Sequence, residues 1–380
     1  MPLREKIFEE IRRDGPMPFS RYMELCLYHP VEGYYSSARN PFGKGGDFYT
    51  ASDVCAVFGR LLARQFKEMW LALGKPAEFE IIELGPGRGL FARDVLDWAK
   101  KKFPDFYRAS TYTLQESSET LRSRLSENLA DLIAEGKAAV SQSGNISIGR
   151  SMPRDVPLIV FANEFFDALP VEILSTEGKL HLDLVGSALQ EVWLPARAEE
   201  LEFLDRYGVH PEEGERIELS LAALRWVGAI DEALQRGFFL TFDYGYTGAE
   251  QLAGRHRGTL MAYRAHAANP DPYQAPGLQD ITAHVNFSAL ASVSEKRGMR
   301  AEPLRTQSQF LMGIGEITQF ADVFEECRLP QERAKVALQL KHLINPSGMG
   351  ETFQVLLASR GVDAPAIAQL SGLRFGGRLD

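Results

Sequence analysis

Residues 79–89 constrain the fold of this chain more than any other stretch. A short apolar run containing Phe79, Ile81 and Ile82 is typical of a buried strand. Three glycines follow at alternate positions from 85 to 89, and an amphipathic helical pattern begins directly after them. A strand, a glycine loop and a helix in this order bring main-chain N–H groups and a helix N-terminus up to an anionic ligand group. The stretch therefore predicts a nucleotide-like cofactor.

The spacing of the glycines discriminates between cofactors. The dinucleotide-binding pattern G-x-G-x-x-G requires a glycine three residues after Gly87, where this chain has Leu90. The phosphate-binding pattern G-x-x-x-x-G-K-[ST] is not found. An acid just before the loop, Glu83, suits a ligand with an amino group beside a carboxylate, and S-adenosyl-L-methionine (SAM) carries both. The alternative interpretation is an ordinary tight turn. The predicted cofactor loop comprises Gly85, Pro86, Gly87 and Gly89.

Composition excludes several classes of protein. The 380 residues are 45% hydrophobic and 24% charged, as in an ordinary globular protein, and the net charge of -9 argues against nucleic acid as the main partner. No run of 18 apolar residues occurs, so no membrane insertion is expected. The N-terminal residues mix acids and bases, unlike a signal or transit peptide. Three scattered cysteines indicate a reducing compartment and no metal site, so a cytoplasmic location is predicted.

Strands and helices alternate after the glycine loop, which favours a parallel sheet. We expect an N-terminal helical and irregular cap over 1–73 and a core over 74–380, with insertions at about 171–215 and 250–345. A helix is predicted at 118–134. Predicted core strands follow at 111–116, 137–142 with 145–148, 157–162 and 237–243, and an inserted antiparallel ribbon is predicted from runs at 170–176, 180–185 and 189–194.

Polar residues at the ends of the predicted strands are the candidates for chemistry, because ligands of such sheets lie beyond the carboxyl ends of the strands. Glu116, followed by Ser117, ends the second strand and could accept hydrogen bonds from ribose hydroxyls. Asn163, Glu164 and Asp167 follow the fourth strand beside two phenylalanines. The carboxylates of Glu164 and Asp167 could orient a guanidinium bidentately or accept a proton, or they could simply cap a turn.

Three further candidates are weaker. Asp243 ends the fifth strand, where a buried aspartate satisfied by turn amides is an equally good interpretation. Asp47 and Thr50 lie in a glycine-rich stretch that could cover the cofactor, although Thr50 could equally cap a helix. His284 is a candidate base, but a lone histidine is more often structural.

These pieces together resemble the MidA family of SAM-dependent methyltransferases. The Asn-Glu-Phe-Phe-Asp-Ala-Leu-Pro segment at 163–170 and the Gly-Asp-Phe segment upstream are its most specific features. Two departures touch the substrate side: 50–53 reads Thr-Ala-Ser-Asp where the family usually has Thr-Ser-Pro-Glu, and Leu90 stands where threonine is frequent. The resembling segments are 22–30, 33–35, 45–50, 58–59, 83–89, 163–170, 243–245, 258–263, 279–285, 309–311 and 349–351.

The resemblance implies a class I, Rossmann-like methyltransferase fold with a mostly parallel seven-stranded sheet, whose last strand, here 352–358, runs antiparallel. It implies SAM as cofactor and methyl transfer to a protein side chain, with symmetric dimethylation of an arginine in a complex I subunit for the mitochondrial relatives. A respiratory-complex subunit is thus a candidate partner. Two alternatives stay open: a small-molecule methyltransferase, and an assembly factor that binds SAM without catalysis. The oligomeric state is not predicted.

Overall fold

The computed structural model describes residues 2–36, 56–141, 147–250, 256–264, 267–269 and 271–375, and it shows a mixed α/β protein. The helices of these ranges are α1 (Leu3–Asp14), α2 (Phe19–Tyr28), α3 (Ala56–Ala72), α4 (Leu90–Lys102), α5 (Pro104–Ala109), α6 (Glu119–Asn128), α7 (Ala130–Ala134), α8 (Ala198–Tyr207), α9 (Leu221–Ala233), α10 (Phe287–Lys296), α11 (Gln307–Glu316), α12 (Ala321–Phe324), α13 (Pro330–Ile344) and α14 (Ala364–Ile367).

The strands form one large sheet and two smaller ones. They are β1 (Met17–Pro18), β2 (Phe79–Leu84), β3 (Ser110–Gln115), β4 (Ala138–Ser141), β5 (Leu158–Asn163), β6 (Glu172–Ser175), β7 (Gly178–Val185), β8 (Ala188–Leu194), β9 (Ile217–Leu219), β10 (Gly237–Tyr246), β11 (Met261–Arg264), β12 (Ala267–Asn269), β13 (Asp280–Thr282), β14 (Val285–Asn286), β15 (Arg300–Ala301), β16 (Arg305–Thr306) and β17 (Phe353–Arg360).

The large sheet has the order β15-β17-β10-β5-β2-β3-β4, with β14 beside β10 and β16 beside β17. Strands β10, β5, β2, β3 and β4 are parallel, and β17 pairs antiparallel with β10. Among the described residues, the sheet contains six longer strands, one fewer than the seven expected, and three two-residue strands that join its β10 and β17 side. Such short extended pieces carry no alternating apolar pattern that a sequence could show.

The strand order changes direction at β2, and this positions the site. The chain moves outward from β2 to β3 and β4, and then returns to place β5 on the other side of β2. Ligands of open α/β sheets bind at such a switch point, beyond the carboxyl ends of the strands. Every residue of β2 is buried, because helices cover both faces of the sheet. The residues just after β2 and β5 are therefore the first place to look for a cofactor.

The predicted helix at 118–134 is divided into α6 and α7 at Leu129, whose φ of −115° is not helical. Leu125 and Leu129 are both buried, and both side chains lie against Gly89 of the glycine loop. Of the predicted strand pieces at 145–148, residues 145 and 146 lie outside the described residues, and 147–148 are not in a strand.

The predicted ribbon is present as β6, β7 and β8, and two short strands, β1 and β9, extend it into a second sheet. Helices α1 and α2 bury their apolar residues against this ribbon and against the small sheet β12-β11-β13. Helix α3 instead packs on the large sheet with α4. The N-terminal 30 residues are thus fastened to the insertions. In the described ranges, no helix is both long and apolar enough to cross a membrane.

Candidate active site

The loop between β2 and α4 is held in a conformation that its glycines permit. Gly85, Gly87 and Gly89 have φ values of +63°, +54° and +73°, in the left-handed region that side chains disfavour. The Gly85 N–H donates to the Gln115 carbonyl at 3.1 Å, which ties the loop to β3. The loop leads directly into the N-terminus of α4, so its main-chain donors are preset for an anionic group.

Neighbouring side chains close in on the loop from two sides. A Cβ atom on Gly85 would lie 3.0 Å from Cδ2 of Phe165, and a Cβ on Gly89 would lie 2.8 Å from Cδ2 of Leu125. Phe165 belongs to the turn that follows β5, whereas Leu125 belongs to α6. The loop therefore sits between the two polar segments that the sequence singled out, 116–117 and 163–167.

Glu83 ends β2 beneath the loop, and it is 5% exposed. Its Oε2 accepts a hydrogen bond of 2.9 Å from the hydroxyl of Tyr112. Burial raises the pKa of Glu83 to about 8, which the Tyr112 hydrogen bond only partly offsets. A buried carboxyl of this kind is favoured in its charged form when a cationic group faces it, such as the amino group of SAM.

Glu116 ends β3 beside the loop, and it is also buried. Its Oε1 accepts a hydrogen bond of 2.9 Å from the main-chain N–H of Ser118, and the Ser117 hydroxyl lies 3.5 Å from the same oxygen. Burial raises the pKa of Glu116 to about 7, against the lowering effect of the Ser118 and Ser117 amides. The Arg122 guanidinium donates to the carbonyls of Glu116 and Ser117, which fixes this turn.

The turn after β5 is strained at Glu164, one of the candidate residues for chemistry. Glu164 has a φ of +49°, which is uncommon for a residue with a side chain and is frequent at functional sites. The side-chain amide of Asn163 donates to Oε1 of Glu164 at 3.1 Å. The other amide atom, Oδ1 of Asn163, is buried and accepts no hydrogen bond from any residue in the described ranges. Such an orphan acceptor is expected where a ligand donor completes the site.

Asp243 accounts for the strained turn. Its Oδ2 accepts hydrogen bonds from the main-chain N–H groups of Phe165, Phe166 and Asp167, at 3.2, 2.9 and 3.3 Å. Its Oδ1 accepts from the Tyr244 N–H at 2.9 Å. Both oxygens of this fully buried side chain therefore accept hydrogen bonds from main-chain amides. This is the arrangement of the alternative interpretation, a buried aspartate satisfied by turn amides. Burial raises the pKa of Asp243 to about 7, although these four amides oppose the rise.

Asp167 is a buried residue in a cluster of acidic side chains, and this cluster is called the acidic pocket. Burial raises its pKa well above the ordinary range, and the negative charges of Asp243, Glu164 and Asp280 raise it further. Four tyrosines lie close enough to feel the charge of Asp167: Tyr28, Tyr35, Tyr244 and Tyr263. Buried acids with aromatic neighbours suit a planar cation, which can stack on the rings and bind the carboxylates.

The structure places Glu83, Glu116, Asn163, Glu164 and Asp167 at the carboxyl ends of β2, β3 and β5, and their roles stay predictions. Asp47 and Thr50 lie outside the described residues, as does the predicted covering stretch around them. The ring of His284 stacks on that of Tyr244, with centroids 6.2 Å apart. Among the described residues, no group of three or more His, Cys, Asp or Glu side chains could hold a metal ion.

Sequence reasoning missed Asp280 and the two N-terminal tyrosines, Tyr28 and Tyr35. The signal for Asp280 was weak but present, since it is an acid at the start of a short apolar strand. The tyrosines lie in the resembling segments 22–30 and 33–35, but the sequence assigns them no role, because their contacts depend on how the N-terminal segment docks onto Asp280 and Ala168.

Comparisons with known proteins agree with this geometry. The sequence profile of a family described as S-adenosyl-L-methionine-dependent methyltransferases matches residues 61–304. The Drosophila melanogaster relative, named as a homologue of protein arginine methyltransferase NDUFAF7, is 30% identical over 95% of this chain and 85% of its own length. The Bos taurus protein arginine methyltransferase NDUFAF7 is 29% identical over 93% of this chain and 82% of its own length.

A solved structure extends the likeness to the whole fold. A Burkholderia thailandensis protein, bound to S-adenosyl-homocysteine, superposes with a TM-score of 0.83 at 30% identity and covers 97% of this chain and 94% of its own. The cofactor expected from the residues, SAM, is therefore also the cofactor of the matching family. The Asn163 oxygen and the preset loop of this chain fit that cofactor.

The prediction of a cytoplasmic location is wrong, because the Drosophila and Bos taurus relatives are both named as mitochondrial proteins. Scattered cysteines report only a reducing environment, and that environment is not unique to the cytoplasm.

Substituting Gly85 by valine should abolish SAM binding, because the new side chain would meet Phe165 and strain a backbone at φ +63°. Calorimetric titration with SAM measures this. The matched control is Gly186→Val, since Gly186 has the same φ but no neighbour within 4 Å. Unchanged SAM affinity in folded Gly85→Val would remove the loop from the site.

The affinity for SAM should rise with pH. The raised pKa values mean that Glu83 and Glu116 are largely protonated at low pH in the ligand-free protein, whereas their proposed contacts need carboxylates. The α-amino group of SAM stays protonated between about pH 5.5 and 7.5. In this range we expect the affinity for SAM to rise by up to about tenfold per pH unit for each carboxyl whose pKa lies above the pH. Calorimetry across this range tests it. In Glu83→Gln, the affinity for SAM should rise only up to about pH 7, the pKa of Glu116. A flat profile of affinity against pH in the wild type would contradict both assignments.

Proposed function

The chain belongs to the family of S-adenosyl-L-methionine-dependent methyltransferases, and on that premise we propose that it transfers methyl groups to arginine side chains of a protein. The observation that carries the proposal is the buried acidic pocket around Asp167, directly beside the cofactor loop. A guanidinium is planar, permanently charged and able to bind two carboxylates at once, so it satisfies this pocket better than a neutral group does. The NDUFAF7 relatives are named as protein arginine methyltransferases, which supports the same acceptor.

We propose the following cofactor contacts. The loop residues Gly85, Pro86, Gly87 and Gly89 face the anionic end of SAM, and Glu83 binds its amino group. Glu116 accepts hydrogen bonds from the ribose hydroxyls, with Ser117 beside it, and Asn163 completes its hydrogen bonding with a cofactor donor. Asp47 and Thr50 stay proposed as further contacts.

Bound SAM supplies an activated methyl group and its own leaving group, so the protein has to position the acceptor and receive a proton. We propose that Glu164 and Asp167 orient the guanidinium so that one nitrogen faces the methyl carbon. The nitrogen lone pair forms the new N–C bond, and the electrons of the broken S–C bond remain on sulfur. The proton lost from that nitrogen passes to one of the two carboxylates.

Asp243 was expected among the catalytic residues, and we now propose a positioning role for it. Because both of its oxygens hold main-chain amides, its effect on the acceptor passes through the turn 165–167. That turn carries Asp167 and places Phe165 against Gly85.

The direct test is incubation of the protein with methyl-labelled SAM and fractionated mitochondrial protein, with respiratory-complex subunits as the first acceptors to examine. We expect label on an arginine, identified by peptide mapping, with mono- and dimethylated forms distinguished by mass spectrometry. Label confined to small molecules would instead favour a metabolite methyltransferase. SAM binding without release of S-adenosyl-homocysteine in any fraction would favour a non-catalytic assembly factor.

Glu164→Gln should keep SAM affinity and lose methyl transfer by about 10²-fold or more, because glutamine has the shape of glutamate but neither its charge nor its basicity. Calorimetry with SAM and a rate assay with the mapped acceptor give the two readouts. Glu177→Gln, at an exposed turn of the ribbon, is the matched control. Full turnover in Glu164→Gln would exclude Glu164 from the reaction.

A further inference from the structure

Asp280 comes to the acidic pocket from outside the large sheet. It begins β13, where its Cα partner on β11 is Tyr263, so both side chains lie on the same face of the small sheet. Three residues later, the N–H of Ala283 donates to the carbonyl of Asp167 at 3.0 Å. This main-chain bond docks the β13 segment onto the turn after β5, and Asp280 is only 3% exposed.

Tyr35 fixes the Asp280 carboxylate. Its hydroxyl donates to Oδ1 of Asp280 at 2.8 Å, and its own carbonyl accepts a hydrogen bond from the Ser118 hydroxyl at 3.0 Å. The ring of Tyr28 lies 5.6 Å from that of Tyr35, and the Tyr28 hydroxyl donates to the Ala168 carbonyl at 2.9 Å. The carboxylate is therefore held from the N-terminal segment, and that segment is in turn anchored beside Glu116.

The charge of Asp280 reaches the acceptor pocket. The pKa of Asp167 is raised mainly by burial, then by the charges of Asp243 and Glu164, and then by the charge of Asp280. Burial is the main cause of the raised pKa of Tyr263, and the charge of Asp280 is the second. An aspartate that influences both groups shares their low-dielectric surroundings, so its charge adds to the field that an acceptor meets.

We propose that Asp280, held by Tyr35, is a specificity-determining residue that makes the acceptor pocket select a cationic guanidinium over neutral groups of the same shape. The inference rests on the proposed function and gives a role to a residue of the resembling segment 279–285 that was not among the candidate site residues. Next to a buried, fixed carboxylate, a cation is bound more strongly than a neutral isostere of the same shape.

The test compares two pools of short random peptides that differ only at the central residue, arginine or its neutral isostere citrulline. Binding is measured by calorimetry on full-length protein saturated with S-adenosyl-homocysteine, and methyl transfer to the arginine pool is measured with SAM. We expect wild-type protein to prefer the arginine pool. Asp280→Asn should raise KM for that pool by about tenfold or more with kcat nearly unchanged, and it should largely abolish the preference over citrulline.

The choice of variants separates charge from structure. Asp280→Asn keeps an acceptor for the Tyr35 hydroxyl, whereas Tyr35→Phe removes that hydrogen bond and keeps the charge. Selection by charge predicts the larger loss of preference in Asp280→Asn, with S-adenosyl-homocysteine affinity and melting temperature near those of the wild type. Wild-type preference in Asp280→Asn, or an equal loss in both variants, would overturn the inference.

Failure of the proposed function gives a different result. If the wild-type protein binds the arginine pool but methylates neither that pool nor any other protein arginine, arginine methylation is refuted. The calorimetric preference of that protein and of Asp280→Asn would still decide the role of Asp280. A wild-type protein without any preference for arginine over citrulline would refute the selectivity itself.

Discussion

The carboxylate of Asp243 holds the turn on which both halves of the site depend. Three consecutive main-chain N–H groups point at one of its oxygens, and this fixes residues 165–167 at the end of β5. The turn then brings Phe165 against the glycine loop and Asp167 into the acidic pocket. Removal of this one buried acceptor would leave three amides without a partner, at a cost of about 1–3 kcal/mol for each buried group.

The part of the fold that depends on local pattern could be predicted from the sequence. The apolar runs at 79–82, 157–162 and 237–243 gave β2, β5 and β10, because a strand buried on both faces leaves a continuous apolar signature. The glycine spacing and Glu83 pointed to SAM, which the matching family shares. Glu116, Asn163 and Glu164 could be placed together for the same reason, since parallel strands deliver their carboxyl ends to one edge.

The remaining features depend on contacts between distant segments. Nothing near Tyr35 in the sequence indicates that its hydroxyl meets Asp280, 245 residues further along the chain. The choice between two roles for Asp243 likewise needed the positions of the amides around it. Short strands such as β14, β15 and β16 form only because β10 and β17 offer them an edge, so their own residues carry little signal.

The attachment of the N-terminal segment has a practical consequence for anyone who shortens this protein. The family profile begins at residue 61, and a boundary drawn there would retain the glycine loop, Glu116 and Asn163. Such a truncation would remove Tyr28 and Tyr35, and with them the hydrogen bonds that these residues donate to the Ala168 carbonyl and to Asp280. The apolar faces of the ribbon that α1 and α2 cover would become exposed to water. An expression fragment of this enzyme should therefore start ahead of α1.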